Sequence, residues 1–266
     1  DNKKVKPWLH WSFGWMIIIG STMSAFAITS VNAWMNNPVG FRMVNGRLTD
    51  ISVSKAMFSN TSLIEFLHSM PAYYLASALA IAGIYGFSLL SGNKKARKVS
   101  HTNYSWTIIH RLVIFSIVAF VALMITGDLT GKYLAKHEPE KLATIEVVSH
   151  TKDHVPFVFG GFNATDGKLS GPRISIPNGL SLLVGGSVKT VITGLDKTAT
   201  NKRPPESIRI LFNIKLTLII LLAIGLASYL WLRKFRANYL SSKPALLLFS
   251  IGSFVGIILV ELGWMI

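Results

Sequence analysis

The chain of 266 residues has no cysteine and few charged residues, and both shortages exclude classes of protein. Without cysteine it cannot form a disulfide, a thiolate metal site or a cysteine nucleophile, so any metal depends on His, Met, Asp, Glu or a cofactor. Charged residues make up 15% of the chain, whereas soluble domains contain about 25%. Since 50% of the chain is hydrophobic, the composition indicates an integral membrane protein.

Acidic residues are the scarcer charged class, with 12 Asp and Glu against 27 Lys and Arg and a net charge of +15. In a soluble protein this excess would suggest a nucleic-acid partner. In a membrane protein the positions of the positive residues indicate orientation, because short cytoplasmic loops are enriched in Lys and Arg. We expect membrane lipid as the surroundings and no nucleic-acid partner.

Five apolar stretches are long enough for a helix that crosses a bilayer, which needs about 20 residues. They predict an all-α integral membrane fold with a long outward-facing loop. We divide the chain into three helices with an outer loop at 36–62 (1–126), an outward-facing segment (127–205) and two further helices (206–266). The predicted spans are approximately residues 8–34, 63–90, 106–126, 208–232 and 245–266.

Three short basic segments predict the orientation of the chain: DNKKVK at the start, GNKKARKVSH after the second span and RKFRANYLSSK after the fourth. An alternating topology puts all three on one side, which is the pattern of cytoplasmic loops. We therefore expect a multi-pass membrane protein. Its amino terminus would be cytoplasmic, and the loops 36–62 and 127–205 would face outward.

Two polar residues within spans are candidates for a functional site, because such residues are costly in lipid and are often functional. His68 follows the start of span two by about one turn, and either bonds a loop carbonyl or ligates a metal or heme. Lys215 lies in FNIKLTLII of span four at a matching predicted depth. It either faces the same site or extends to the interface.

Further polar residues suggest a site in the outer third of the bilayer. Glu65 shares a helix face with His68, while Asp128 and Glu261 lie near the outer ends of spans three and five. In span one, Ser24 and Asn32 are eight residues apart and lie roughly on one face. Their side chains either form hydrogen bonds that pack this helix against its neighbours or belong to a proton path.

Several motifs, in this order and spacing, resemble subunit I of cytochrome bd quinol oxidase. The resemblance covers nearly the whole chain, and it is specific because separate motifs agree in order. The motifs are WMNNPVGF (34–41), FLHSMPAYY (66–74), GDLTGKYLAKHEPEKLATIE (127–146), VITGLDK (191–197), RPPESIRILF (203–212) and ELGWM (261–265).

The resemblance implies a subunit in the prokaryotic plasma membrane that takes electrons from quinol at the outer face toward oxygen-reducing hemes. His68 would be an axial ligand of a low-spin heme b, and Ser24 and Asn32 would lie on the proton path. Further hemes b and d of the complex would have their ligands outside this chain, and subunit II would be a partner. The segment 127–205 would bind quinol, with Asp128, Glu146, Asp196 and Lys197 in the quinol region.

The sequence departs from the family pattern in span four, where the F-R-x-M motif of the second heme ligand reads FNIK. Lys215 therefore takes the methionine position and Asn213 the arginine position, and lysine ligates only when neutral, against an ordinary pKa of about 10.4. In the loop motif, Glu138 replaces the family's glutamine. The alternatives are a heme with one protein ligand, or a degenerate relative without heme that serves as a scaffold or partner subunit.

The resemblance also leaves out parts of the family pattern, namely its first three spans and the G-R-Q-P-W motif after WMI. We expect an excised portion or a split subunit, with a second chain supplying the missing helices. This chain alone would not reduce oxygen. A transporter is disfavoured because the sequence lacks the inverted repeats that such folds often show.

Overall fold

The computed structural model describes residues 5–91, 99–163, 169–199, 205 and 207–265. The chain divides into two compact units, Asp1–Met70 and Pro71–Ile266. In chain order the elements are α1 (Pro7–Asn36), β1 (Arg42–Val44), β2 (Arg47–Thr49), α2 (Val53–Met57), α3 (Asn60–Leu90), α4 (Val99–His137), α5 (Pro139–Glu146), β3 (Phe157–Asn163), β4 (Leu169–Ile176), α6 (Gly179–Gly185), a 3₁₀ turn (Leu195–Lys197), α7 (Ser207–Phe235), α8 (Ala237–Leu240) and α9 (Lys243–Met265).

Within the described ranges, five helices are long and apolar enough to cross a membrane: α1, α3, α4, α7 and α9. This confirms the predicted helical membrane fold with five spans. The helix α4 continues for about three turns beyond the predicted end of span three at Thr126, as far as His137. Hydropathy marks only the apolar part of this helix, because the continuation GDLTGKYLAKH is polar but compatible with a helix.

The first unit contains α1, the β1–β2 hairpin, α2 and the start of α3. The hairpin turns at Asn45-Gly46, where both residues have positive φ, as a two-residue turn between antiparallel strands requires. The ring of Phe26 on α1 lies 5.1 Å from each of the rings of Phe58 and Phe66. Aromatic packing therefore joins α1 to the chain that enters α3.

The second unit has a core formed by α3, α4, α7 and α9. Helices α3 and α9 approach closely at Gly83, where an added Cβ would collide with the hydroxyl of Ser253. Small residues at such a contact let two membrane helices pack closely. The buried members of this core are Leu75, Leu79, Ile109, Val113, Ala119, Leu123, Leu222, Leu226, Tyr229 and Leu259.

Much of the predicted outer segment 127–205 folds around a second, smaller core. Strands β3 and β4 form an antiparallel hairpin with an irregularity between Gly160 and Phe162. Gly160 has a φ of 82°, and a Cβ there would lie 2.7 Å from the carbonyl oxygen of Pro172. The core residues are Leu142, Ala143, Val148, Val155, Leu180 and Ile192. The segment therefore has a folded core of its own, separate from the core of the membrane helices.

Candidate functional site

Arg209, in the first turn of α7, is the central polar residue of the second unit and is fully buried. Its Nη1 donates to the carbonyl of Ile145 at 2.5 Å, and its Nη2 donates to the carbonyls of Val158 at 2.6 Å and Gly160 at 2.8 Å. These bonds connect α7 to the end of α5 and to β3. A buried guanidinium is stable only when it is paired and hydrogen-bonded in this way.

Glu146, the last residue of α5, is buried next to this guanidinium. Its Oε2 lies 3.7 Å from Arg209 Nη1, an ion-pair distance that is too long for a hydrogen bond. Among the described residues, this oxygen has no hydrogen-bond partner. Burial raises the pKa of Glu146 from 4.5 to about 7, although the positive charge of Arg209 acts in the opposite direction. The carboxyl can therefore gain or lose a proton near neutral pH.

Asn213, one turn after Arg209 on α7, also binds strand β3. Its Oδ1 accepts a hydrogen bond from the backbone N–H of Gly160 at 3.3 Å, and its Nδ2 donates to the carbonyl of Gly161 at 2.7 Å. Asn213 and Arg209 together attach the hairpin to α7. The side chain at the arginine position of the F-R-x-M pattern thus has a contact with the extramembrane hairpin.

Lys215 lies on α7 and is partly buried. Lys141 of α5 lies near enough to act on it electrostatically. The two residues therefore place two amino groups near the junction of the extramembrane segment with α7.

Asp196 and Lys197 are exposed residues of the 3₁₀ turn. Asp196 Oδ1 accepts hydrogen bonds from Thr151 Oγ1 at 2.8 Å and from the Thr151 backbone N–H at 3.0 Å. The hydroxyl of Thr151 is the main cause of a lowered pKa of Asp196. Asp196 therefore fixes the 3₁₀ turn to the chain that follows α5.

The first unit holds four predicted residues of the site, namely Ser24, Asn32, Glu65 and His68. Asn32 Nδ2 on α1 donates to Glu65 Oε2 on α3 at 3.2 Å, so two of the sequence candidates are in direct contact. His68 lies one turn further along α3 and is partly buried. Ser24 is exposed on α1. The structure thus joins Asn32 to the helix that carries His68.

Two further candidates lie on the surface of the second unit. Asp128 is exposed on α4, and its carboxylate lies 2.6 Å from the amino group of Lys132, one turn later on the same helix. Glu261 is exposed near the end of α9. The ion-pair partner of Asp128 therefore belongs to its own helix rather than to α5 or α7.

The donor set can be compared with what a heme requires. His68 offers an imidazole on a membrane helix, which fits an axial ligand. The helix α7 contains no methionine, and Lys215 stands at the position expected for one. Among the described residues, no group of three or more His, Asp and Glu is arranged to hold a metal ion. The imidazole of His68 therefore fits the chemistry of a heme ligand, whereas the amino group of Lys215 would fit only after losing its proton.

Sequence reasoning missed Arg209 and the contact of Asn213 with β3. The signal for Arg209 was present, because an arginine inside an apolar run is as unusual as Lys215. Its partners Ile145, Val158 and Gly160 are backbone groups, which carry no residue-type signal. The partners of Asn213 are hidden for the same reason.

The fold and the site define a multi-pass membrane protein with a folded extramembrane segment attached to one span through buried polar contacts. The family described as cytochrome bd terminal oxidase subunit I matches residues 1–266. The chain belongs to this family.

Individual relatives agree with this assignment. The structure of bd oxidase from Geobacillus thermodenitrificans is similar, with a TM-score of 0.81 and 33% identity over 92% of this chain and 55% of that one. A cytochrome bd ubiquinol oxidase subunit 1 of Bacillus subtilis (strain 168) is 29% identical over 67% of this chain and 38% of its own length. A cytochrome bd-II ubiquinol oxidase subunit 1 of Escherichia coli (strain K12) is 25% identical over 76% of this chain and 38% of its own length. The chain therefore spans about half, or less, of these relatives.

Proposed function

We propose that this chain is a heme b-bearing electron-transfer subunit, or a portion of one, of a bd-type terminal quinol oxidase. It would take electrons from quinol at the outer face toward oxygen-reducing hemes held elsewhere in the complex. The observation that carries this proposal is the buried Glu146 carboxyl, whose Oε2 lacks a hydrogen-bond partner among the described residues. Similarity to ubiquinol oxidase subunits supports quinol as the substrate class in this proposal.

Glu146 has the chemistry that quinol oxidation requires of the protein. Converting a quinol to a quinone releases two electrons and two protons, so a proton acceptor must be present. An acceptor works best when its pKa is close to the working pH, and the pKa of Glu146 is about 7. Asp128, Asp196 and Lys197 would complete the quinol region. When bound, heme b supplies one-electron redox chemistry.

The remaining roles in this proposal are those that the resemblance to the family implies. His68 would hold the heme b iron, and Lys215 would be its second ligand as a free amine. Asn32, which bonds Glu65, would lie with Ser24 on a proton path, while Glu261 would be a further polar group at the outer side. Subunit II of the oxidase would be a partner.

Optical spectra of the purified complex test the heme assignment. We expect a b-type band in the reduced-minus-oxidised spectrum and its loss in His68→Ala. In Lys215→Met, heme affinity or potential should rise, because a thioether needs no deprotonation to bind iron. A wild-type complex with its partner subunits and no b-type band would end the proposal, and an unchanged Lys215→Met spectrum would show that Lys215 is not a ligand.

The proposed orientation has a cytoplasmic amino terminus and an outward-facing segment 127–205. Because the chain has no cysteine, single cysteines can be added without background labelling. An impermeant thiol reagent applied to intact cells should modify Lys197→Cys, which is exposed on the 3₁₀ turn. It should not modify Tyr239→Cys on α8, which is also exposed. The reverse result would invert the topology.

A second candidate function is that of a partner subunit without heme. It is favoured by Lys215 at the methionine position and by Asn213, whose amide hydrogen-bonds β3. A scaffold of this kind would support complex assembly in His68→Ala as well as in the wild type. The spectra of the wild-type complex separate the two functions.

A further inference from the structure

The Arg209 side chain has an unusual set of contacts for a buried charge. Its short hydrogen bonds go to three backbone carbonyls, whereas the nearby carboxylate oxygen of Glu146 is 3.7 Å away. Among the described residues, Arg209 Nε has no partner. A bidentate arginine–carboxylate pair would use two short bonds. Here the backbone carbonyls take the place of the carboxylate as the close partners of the guanidinium.

One of these bonds fixes the chain immediately before Glu146. The carbonyl of Ile145 lies in the last turn of α5, where carbonyls lack a partner within the helix. Arg209 Nη1 supplies that partner at 2.5 Å. On the other side of Glu146, Val147 has φ 55° and ψ 48°, a conformation that is strained for a β-branched residue. Glu146 is therefore held between an anchored carbonyl and a strained turn.

This geometry gives Glu146 the field of a positive charge without a hydrogen bond to it. The positive charge stabilises the ionised carboxylate. Oε2 is buried, lies 3.7 Å from Nη1 and has no hydrogen-bond donor among the described residues. A protein that needed only a structural ion pair would gain more from a short bidentate contact.

We propose that Arg209 is the positioning residue of Glu146. By holding the backbone at Ile145 and at β3, it keeps the Glu146 carboxyl in the junction of α5, β3 and α7, with Oε2 as the acceptor for a hydroxyl donor that binds there. Identifying that donor as quinol rests on the proposed function. The positioning of Glu146 by Arg209 does not.

Other ionisable groups lie on the elements around Glu146, and any pH experiment must take them into account. Helix α5 packs against α4, α7 and the 3₁₀ turn. Arg209 is the charge that acts on the Glu146 pKa. The other groups on these elements include Lys136 and His137 of α4, Lys141 of α5, Asp196 and Lys197 of the 3₁₀ turn, and Lys215 of α7.

The test is an infrared pH titration of the Glu146 carboxyl in the assembled complex, assigned by the band that disappears in Glu146→Gln. In Arg209→Gln, which is neutral but can still donate to carbonyls, we expect the midpoint to rise by about one pH unit or more, because a positive neighbour is removed. Asn213→Ala removes the other attachment of β3 and is the matched control, whose midpoint should stay at the wild-type value. An unchanged midpoint in a folded Arg209→Gln protein would overturn the proposal.

Arg209→Lys keeps the charge but replaces the planar fork, whose Nη1 and Nη2 bond separate carbonyls, with a single compact ammonium group. This variant provides the test if the Arg209→Gln protein does not accumulate. We expect a midpoint near the wild-type value together with a severalfold higher KM for quinol. If both midpoint and KM match the wild type, Arg209 does not position Glu146. If the midpoint shifts in Arg209→Gln but the wild-type complex does not oxidise quinol, the proposed function fails, and the shift still shows that Arg209 acts on the Glu146 carboxyl.

Discussion

Replacing Glu146 by glutamine should change how the stability of α5 depends on pH. Between about pH 4.5 and 7, the unfolded chain has lost the proton of this carboxyl while the folded protein keeps it. The free energy of unfolding contributed by Glu146 therefore falls as the pH rises through this range and stays constant above it. A rise in pKa from 4.5 to about 7 corresponds to about 3 kcal/mol. A glutamine side chain does not titrate and has no such dependence, so the variant should gain about this amount over the wild type between about pH 4 and pH 8.

Hydrogen exchange of the α5 backbone amides measures this difference, because local opening of the small core exposes them. At each pH the intrinsic exchange rates of the two proteins are nearly equal, so they cancel in the ratio of variant to wild-type exchange rates. The variant-to-wild-type ratio of exchange rates should therefore fall by about a hundredfold between the two pH values. Glu140→Gln makes the same chemical change on the same helix, where the side chain is only partly buried, and should show a much smaller effect. A ratio that is the same at both pH values, or that rises, would refute the reasoning.

Three further changes test contacts within the second unit. Gly83→Ala puts a Cβ into Ser253 and should cost about 1–3 kcal/mol, measured by thermal unfolding in detergent; an unchanged transition would mean that α3 and α9 separate without cost. Asn213→Ala removes two hydrogen bonds to β3 and should lower the local stability of the hairpin by about 1–3 kcal/mol. Proteolysis of the hairpin should then be about tenfold faster than in the wild type. Equal cleavage rates would show that Arg209 alone holds the strand. Thr151→Val removes the main cause of the low Asp196 pKa, so this pKa should rise toward its ordinary value in a carboxyl infrared titration; an unmoved titration would contradict the hydroxyl contact.

The sequence predicted the spans because lipid requires long apolar helices, and this requirement is written directly in residue type. The prediction ended span three at Thr126 because the following residues, GDLTGKYLAKH, are polar. In the structure the helix continues to His137. The β3–β4 hairpin was not predicted. Its strands include FVFGGFN and LSGPRISI, where glycine and proline weaken the alternation that indicates a strand.

The candidate site was predicted unevenly for a related reason. Asn32 and Glu65 were both named from the sequence, yet their contact depends on how α1 and α3 pack, which helix periodicity alone does not give. Glu146 was named through the family resemblance. Its unusual pKa comes from burial by the surrounding core, and that burial exists only once the segment 127–205 has folded. Arg209 was not named because its partners are backbone carbonyls.

The length of α4 determines how far the extramembrane segment lies from the membrane and how it is rotated around the α4 axis. The helix has 39 residues and is therefore about 58 Å long, about twice the roughly 30 Å of a hydrocarbon core. Helix α5 begins just after α4 ends, and both α5 and α6 pack against it. Adding one residue between Thr126 and His137 would turn the attached segment by about 100° around the α4 axis. Arg209, which is anchored on α7, could not follow that rotation. The part of α4 that extends beyond the membrane thus acts as a rigid spacer. The number of residues in it determines how the contacts between Arg209 and the attached segment are aligned.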